Sequence, residues 1–247
     1  MANWNDPQPT RTGFGASPSL NGAAIGKAGY DQGLRRHMLS IYNYMASGVL
    51  LSGIVALLFA SSGMAAAVFA TPLRWLLVLA PLGFVMAMSF GLHKMRTSTL
   101  QMLFWAFCVV MGLSMASIFL VYTGPSIALT FFSTAAAFAG LSLVGYTTKR
   151  DLSAMGAFMT MGLIGILIAM VLNIFLQSGG LSMAISILGV LIFAGLTAWD
   201  TQRLKNEYAM LAGTEFAGKA VIMGALSLYL DFINMFQFLL SLLGNRE

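Results

Sequence analysis

Charge is what this sequence has least of. Asp, Glu, Lys and Arg make up 9% of its 247 residues and hydrophobic residues 58%, whereas an ordinary soluble domain carries roughly 25% and 45–50%. So little charge cannot clothe a water-soluble fold. Cysteine is almost absent as well. The one thiol, Cys108, has no partner in the chain, which excludes an intramolecular disulfide and any cysteine-based metal cluster. It reads as a small packing residue. There is no room for a second domain, because apolar stretches follow one another almost without a break from Leu39 to Leu243. No internal repeat is visible, so the signature of many inverted-repeat transporters is missing. The net charge of +5 is scattered over short loops and the N-terminal region rather than gathered on a face or in a run. That pattern sets membrane topology and gives no reason to expect a nucleic-acid partner.

Glycine and methionine are plentiful, at 26 and 18 residues. Glycine lets helices approach closely in lipid and methionine fills irregular gaps, so both are read as packing.

Residues 1 to 38 hold most of the Asn, Pro, Ser, Gly and charge punctuation, as in NWNDPQPTRTGFGASPSLNG. They are expected to form a disordered cytoplasmic tail ahead of a single transmembrane domain at 39 to 247. The first apolar stretch follows Arg35 and Arg36 and is long enough to span, so it is read as an uncleaved anchor rather than a signal peptide. Spans are expected at Ile41 to Ala60, Trp75 to Leu92, Leu100 to Tyr122, Ile127 to Val144, Met155 to Leu176, Leu181 to Trp199 and Ala220 to Leu243. Each has the length that a hydrocarbon core of roughly 30 Å requires. Breakers or charges mark the joints: SSG at 61, TPLR at 71, HKMR at 93, TGP at 123, TTKRD at 147 and QSGG at 177. The chain is therefore read as an all-α, seven-span integral membrane protein whose first partner is the bilayer.

Eleven of the 13 Lys and Arg fall on one side: Arg11, Lys27, Arg35, Arg36, Lys94, Arg96, Lys149, Arg150, Arg203, Lys205 and Lys219. Only Arg74 and Arg246 fall on the other. The excess puts the N-terminus in the cytoplasm and, with seven spans, the C-terminus outside.

The first six spans contain no formal charge. The seventh contains one, Asp231, near its middle. A carboxylate at the centre of a span costs on the order of 2.5–3.5 kcal/mol on insertion scales, so it faces protein or water and marks a functional site. At 100° per residue, Gly224, Ser227, Asn234 and Ser241 all lie within about 80° of it, a narrow polar stripe suited to a cavity or crevice. The structural alternative is a hydrogen-bonded aspartate with no further role.

Asp200 closes the sixth span in GLTAWDTQRLK, where an acid at a helix C-terminus opposes the macrodipole. It is open to three readings. It pairs with Arg203 three residues on, it caps a short helix through Tyr208, or it meets Asp231 across the two consecutive antiparallel spans. In the last case, carboxylates about 4 Å apart at an effective dielectric near 20 repel by on the order of 4 kcal/mol. Sharing a proton they hold the helices together; ionised they part and attract Ca²⁺ or another cation, transiently and without a resident metal or cofactor. Lys94 and Arg96, on the same side, are within snorkelling reach as ion-pair partners or simply set topology. His93 is read as an interfacial residue.

The stretch ALSLYLDFINMFQFLLSLLG at 225 to 244, with AWDTQ at 198 to 202, resembles the bacterial branch of the transmembrane Bax inhibitor motif family. The likeness extends through KRDLS at 149, LNIF at 172 and the Gly-Leu-Ser at 112. It implies seven helices with the last one central and wrapped by the other six. It also implies a pH-dependent calcium leak, in the inner membrane of a bacterium, gated by a di-aspartyl latch at Asp200 and Asp231. A basic partner at the end of the second span is implied too, falling on Lys94 or Arg96. Some relatives carry an acid within the second span; this chain has none between Trp75 and Leu92. The family equally suggests a regulator that binds a membrane protease or a stress-response partner without transport. Intramembrane aspartyl proteases also place two aspartates on adjacent helices, but their YD, GxGD and PAL motifs read here as WD and LYLD with no PAL, so no enzyme is expected.

Overall fold

The computed structural model describes residues 18 to 246. Eight α-helices follow in order: α1 Pro18–Ser61, α2 Met64–Phe69, α3 Leu73–Gly91, α4 Thr97–Met115, α5 Gly124–Thr147, α6 Ser153–Leu176, α7 Gly179–Leu211 and α8 Phe216–Leu243. A 3-10 turn, Ala116–Leu120, continues α4. Seven of these elements are long and apolar enough to cross a membrane, and α2 is a short extra turn of helix between the first two. The protein is all-α, as its apolar runs imply.

α8 is the axis. Leu226, Ile233 and Leu240, on faces away from Asp231, are as buried as the rest of the helix, so α8 is enclosed all round rather than on one stripe. α1, α4, α5 and α7 pack directly on it, while α3 stands mainly behind α4 and α6 behind α7. The outermost helices show it in their side chains: Phe90 on α3 and Phe175 on α6 are 79% and 82% exposed. In lipid such exposure carries no hydrophobic penalty. Small residues set the closest approaches. Gly145 of α5 lies against the Ala198 carbonyl of α7, and Gly156 of α6 against the Trp199 indole.

Two boundaries differ from expectation, for one physical reason. The tail was expected to run to residue 38, yet α1 begins at Pro18; residues 1 to 17 lie outside the described residues. Likewise Asp200 does not close its helix, because α7 continues to Leu211 and only residues 212 to 215 connect it to α8. In both places a helix outlasts its apolar run because the extensions pack on each other. Leu34, Met38 and Ile41 are buried one helical turn apart. Tyr208 of α7 lies over Gly33 and packs at a tilt against the rings of Tyr30 and His37 of α1, centroids 5.4 and 5.1 Å away. The macrodipole argument for Asp200 therefore falls, since the residue is mid-helix.

The outer end is tied down by the C-terminus. Thr123 N–H donates to the Asn245 carbonyl at 3.1 Å, and Asn245 N–H donates to Ser126 Oγ at 2.9 Å, closing the α4–α5 joint over the end of α8.

Candidate functional site

α7 and α8 are consecutive and antiparallel, and their long contact brings Asp200 and Asp231 together inside the bundle. Each is 5% exposed, and the two carboxyl groups are near enough to act on one another's charge. No bend in either helix is needed. The extension of α7 to Leu211 lowers Asp200 into the bundle to the level of Asp231.

Three further groups complete the cluster. Ser227, one turn before Asp231 on α8, donates its hydroxyl to Asp200 Oδ2. Arg203 Nη2 lies 3.1 Å from Asp200 Oδ1 and donates to Ser227 Oγ at 3.2 Å. The guanidinium is held over the Trp199 ring at 4.8 Å, and its Nε lies 3.5 Å from Glu207 Oε1. Asp200 Oδ1 and Asp231 Oδ2 are buried without a directed hydrogen bond inside the protein. Arg203 is close enough to Oδ1 for an ion pair but is turned toward the serine. Two acceptor atoms thus point into the site with unused capacity, and that is what a proton or a cation would satisfy.

Of the three readings of Asp200, the pairing with Arg203 and the meeting with Asp231 coexist in one arrangement. Lys94 and Arg96 sit at the α3–α4 joint and make no ion pair among the described residues. What reaches the end of α3 is Lys219 of α8, whose Nζ donates to the Leu92 carbonyl at 3.0 Å. His93 makes an edge contact with Phe216, 6.2 Å between centroids.

The polar stripe of α8 faces α7. Gly224 admits Leu204 and Ile41, Ser227 binds Asp200, and Ser241 accepts from Ser186 of α7 at 3.0 Å. Asn234 turns its amide to its own helix, donating to the Leu230 carbonyl at 2.8 Å.

Two cavities open along that face. A crevice of about 450 Å³ enters from the cytoplasmic end between α3, α7 and α8, running past Lys219, Glu207 and Ser89 to Arg203, Ser227 and Leu230. A cavity of about 350 Å³ enters from the outer end between α6, α7 and α8, lined by Asn173, Ser182, Ser186, Gln237 and Ser241. The α8 residues lining them fall on the same side of the helix. Leu230 at the bottom of one and Gln237 at the top of the other are seven residues apart, about 10 Å. Asn234 falls between them along that side of α8, three residues after Asp231.

A residue noted only as part of a motif fixes the depth of the site. Gln202, two residues after Asp200, accepts from Leu152 N–H and donates to the Arg150 carbonyl, both at 2.8 Å. It clamps the α5–α6 turn onto α7 and so joins the KRDLS and AWDTQ segments. Next to it, the exposed Asp151 accepts from the N–H and hydroxyl of Ser153 at the start of α6. Those bonds hold its carboxyl below the usual range.

The protein-family model described as "Inhibitor of apoptosis-promoting Bax1" matches residues 34–247. An uncharacterised protein of Rickettsia prowazekii is 45% identical over 219 residues, covering 88% of this chain and 93% of its own length. The inner membrane protein YbhL of Escherichia coli is 44% identical over 219 residues, covering 87% and 94%. An uncharacterised membrane protein of Streptococcus pyogenes is 34% identical over 226 residues, covering 88% and 96%.

Proposed function

This chain belongs to the family described as inhibitor of apoptosis-promoting Bax1 and is a multi-pass protein of a bacterial inner membrane; from that premise we propose that it is a pH-sensitive cation leak, with Ca²⁺ as the principal ion and Asp200 and Asp231 as its latch. The observation that carries this reading is the position of the two buried carboxyl groups. They stand beside the stretch of α8 between a cytoplasmic crevice and an outer cavity on one face of that helix.

The chemistry follows from proximity. Two carboxyl groups in mutual contact titrate as a pair, not as independent acids. With a proton between them they bridge α7 and α8, and Ser227 and Arg203 hold the Asp200 side in place. When the proton leaves, like charges face each other in a low-dielectric site and the seam opens or takes up a cation. A divalent ion entering from the crevice meets carboxylate and hydroxyl oxygens, the hard ligands Ca²⁺ prefers. Among the described residues no three His, Cys, Asp or Glu side chains cluster. Two carboxylates and a serine suit passage more than retention. The aspartates need perform no catalytic step in this scheme.

Purified protein in liposomes loaded with a calcium dye tests the reading. Flux above protein-free liposomes, varying with pH between about 5 and 8, is the expected result. No flux at any pH in that range would sink it.

One observation favours a regulatory reading instead. The paired extensions of α1 and α7 present Tyr30 and Met210 beyond the apolar spans, a surface on which a membrane protease or stress-response partner would dock. A protein acting only in that way would conduct nothing in the same liposomes.

A further inference from the structure

A further opening lies on the far side of α8 from the cavities of the latch. α1 and α5 stand apart there, leaving a groove of about 770 Å³ with Phe232 of α8 as its floor. Its lips are Leu39 and Leu50 of α1 and Leu143 of α5, exposed by 50%, 65% and 62%, so the groove faces sideways into the hydrocarbon. Small side chains, Ala46 and Ala139, leave it wide. From Arg35 to Leu50 it runs fifteen residues along α1, about 22 Å, which is most of a core roughly 30 Å thick. A second cavity of about 280 Å³ shares Val49 and Phe131 with it and prolongs it toward the outer surface.

Such a space does not hold water. Its walls are apolar almost throughout, and a water needs two to four polar partners. At the cytoplasmic end the chemistry changes. Arg35 lines that end on α1, with the phenols of Tyr42 and Tyr146 nearby, at the depth where amphipathic rings and headgroups meet. Lys205 adds a second cation on the α5 side: its Nζ donates to the Tyr146 carbonyl at 2.7 Å and lies 5.1 Å over the Tyr146 ring. No acidic residue lines the groove among the described residues.

The geometry points to a phospholipid of the cytoplasmic leaflet as the occupant, one acyl chain lying along α1 and α5 and an anionic headgroup on Arg35 and Lys205. Charge decides the headgroup, since two cations and no acid favour a net negative lipid over a zwitterionic one. Shape decides the chain, since the groove is long, narrow and open to the side from which lipid arrives. The chain rests on Phe232, the neighbour of Asp231, where Phe131 and Phe138 also meet it at 5.5 and 5.6 Å. Lipid bound there braces α5 against the back of the helix that carries the latch. Ion conduction is not required for this site to exist.

The test uses the full-length protein in mixed phosphatidylglycerol and phosphatidylcholine vesicles, with a photoactivatable acyl chain on one lipid at a time and labelled peptides mapped by mass spectrometry. Peptides 38–50 and 131–146 should label several-fold more than the lipid faces of α3 and α6, and phosphatidylglycerol more than phosphatidylcholine. Ala139→Trp, and Ala46→Phe from the opposite lip, should each reduce groove labelling several-fold while the labelling of α3 stays unchanged. Arg35→Gln should lower phosphatidylglycerol labelling toward the phosphatidylcholine level, Lys205 keeping the remainder of the preference. Even labelling of groove, α3 and α6 without headgroup preference would overturn the proposal, leaving ordinary annular lipid. A dimer whose dissociation alone exposes the groove to label would also overturn it, because a second copy would then be the occupant.

Discussion

The Ser227 hydroxyl donates to Asp200 Oδ2 across the α7–α8 seam, from one turn before Asp231 on the same helix. α8 therefore grips Asp200 with one residue and confronts it with another. Ser227→Ala keeps both carboxyl groups and Arg203 but removes this bond. Hydrogen bonds to charged groups are worth about 1.5–3 kcal/mol, so the melting temperature should fall by several degrees. The pH midpoint of flux should move while the pH dependence itself survives. If midpoint and melting temperature both stay put, the hydroxyl is a spectator.

Asp200→Asn and Asp231→Asn should each abolish the neutral-range pH dependence, because either change leaves one acid without a partner. The double mutant should cost less than the sum of the singles, as residues in contact do not act independently. Cation binding follows with a definite sign. Ca²⁺ and a proton compete for the pair, so apparent affinity rises with pH, by at most about tenfold per unit where one proton is displaced. Both single mutants should flatten that slope. Additive effects, with the wild-type midpoint kept in Asp200→Asn, would end the latch hypothesis.

A second buried polar contact gives an asymmetric prediction. Tyr229 on α8 and Ser52 on α1 meet at 2.6 Å inside the apolar core, and Ser52 also lies 2.7 Å from the Cys108 carbonyl of α4. Ser52→Ala strands the Tyr229 hydroxyl without a partner, at about 1–3 kcal/mol. Tyr229→Phe leaves Ser52 its carbonyl and should be milder. Thermal unfolding in detergent orders the two, and the reverse order would show that the tyrosine has another acceptor.

Asp151 lies outside the spans and its pKa is held below the usual carboxylate range, owing first to its bond from the Ser153 hydroxyl and then to the Ser153 N–H. A carboxylate acidified on folding stabilises the native state above its unfolded value, about 3.9, and the benefit fades as pH falls through the folded value. Asp151→Asn keeps an acceptor but not the charge. Wild type should melt higher than the variant near neutral pH, and the gap should close as pH drops below about 4. A gap that persists in acid would assign the effect to shape, not charge.

Hydropathy located the spans within a few residues because lipid imposes a length on every apolar run. It failed where helices leave the lipid. The segments around Leu34 and from Thr201 to Leu211 are too polar to register as spans, and what keeps them helical is their contact with each other. Asp231 was legible as the lone charge of its span. Asp200 was legible as a candidate partner, but its depth was not, since that depends on the uninterrupted run of α7 and on Gln202. Arg203 was visible only as a neighbour three residues away, while the Ser52 and Tyr229 contact joins residues 177 apart and has no local signal.

Asp200 is set into a helix that runs 33 residues without a break, about 50 Å of rod. It has no hinge of its own. Tyr208, two turns nearer the cytoplasm on the same rod, is held by α1, and Gln202 is clamped to the α5–α6 turn. If the proposed latch opens by a helix movement, that movement belongs to α8 more than to α7. In the proposed latch the anchored rod is α7, so the work of parting falls on the central helix, against its own ties to Ser52, to the Leu92 carbonyl and to the α4–α5 joint.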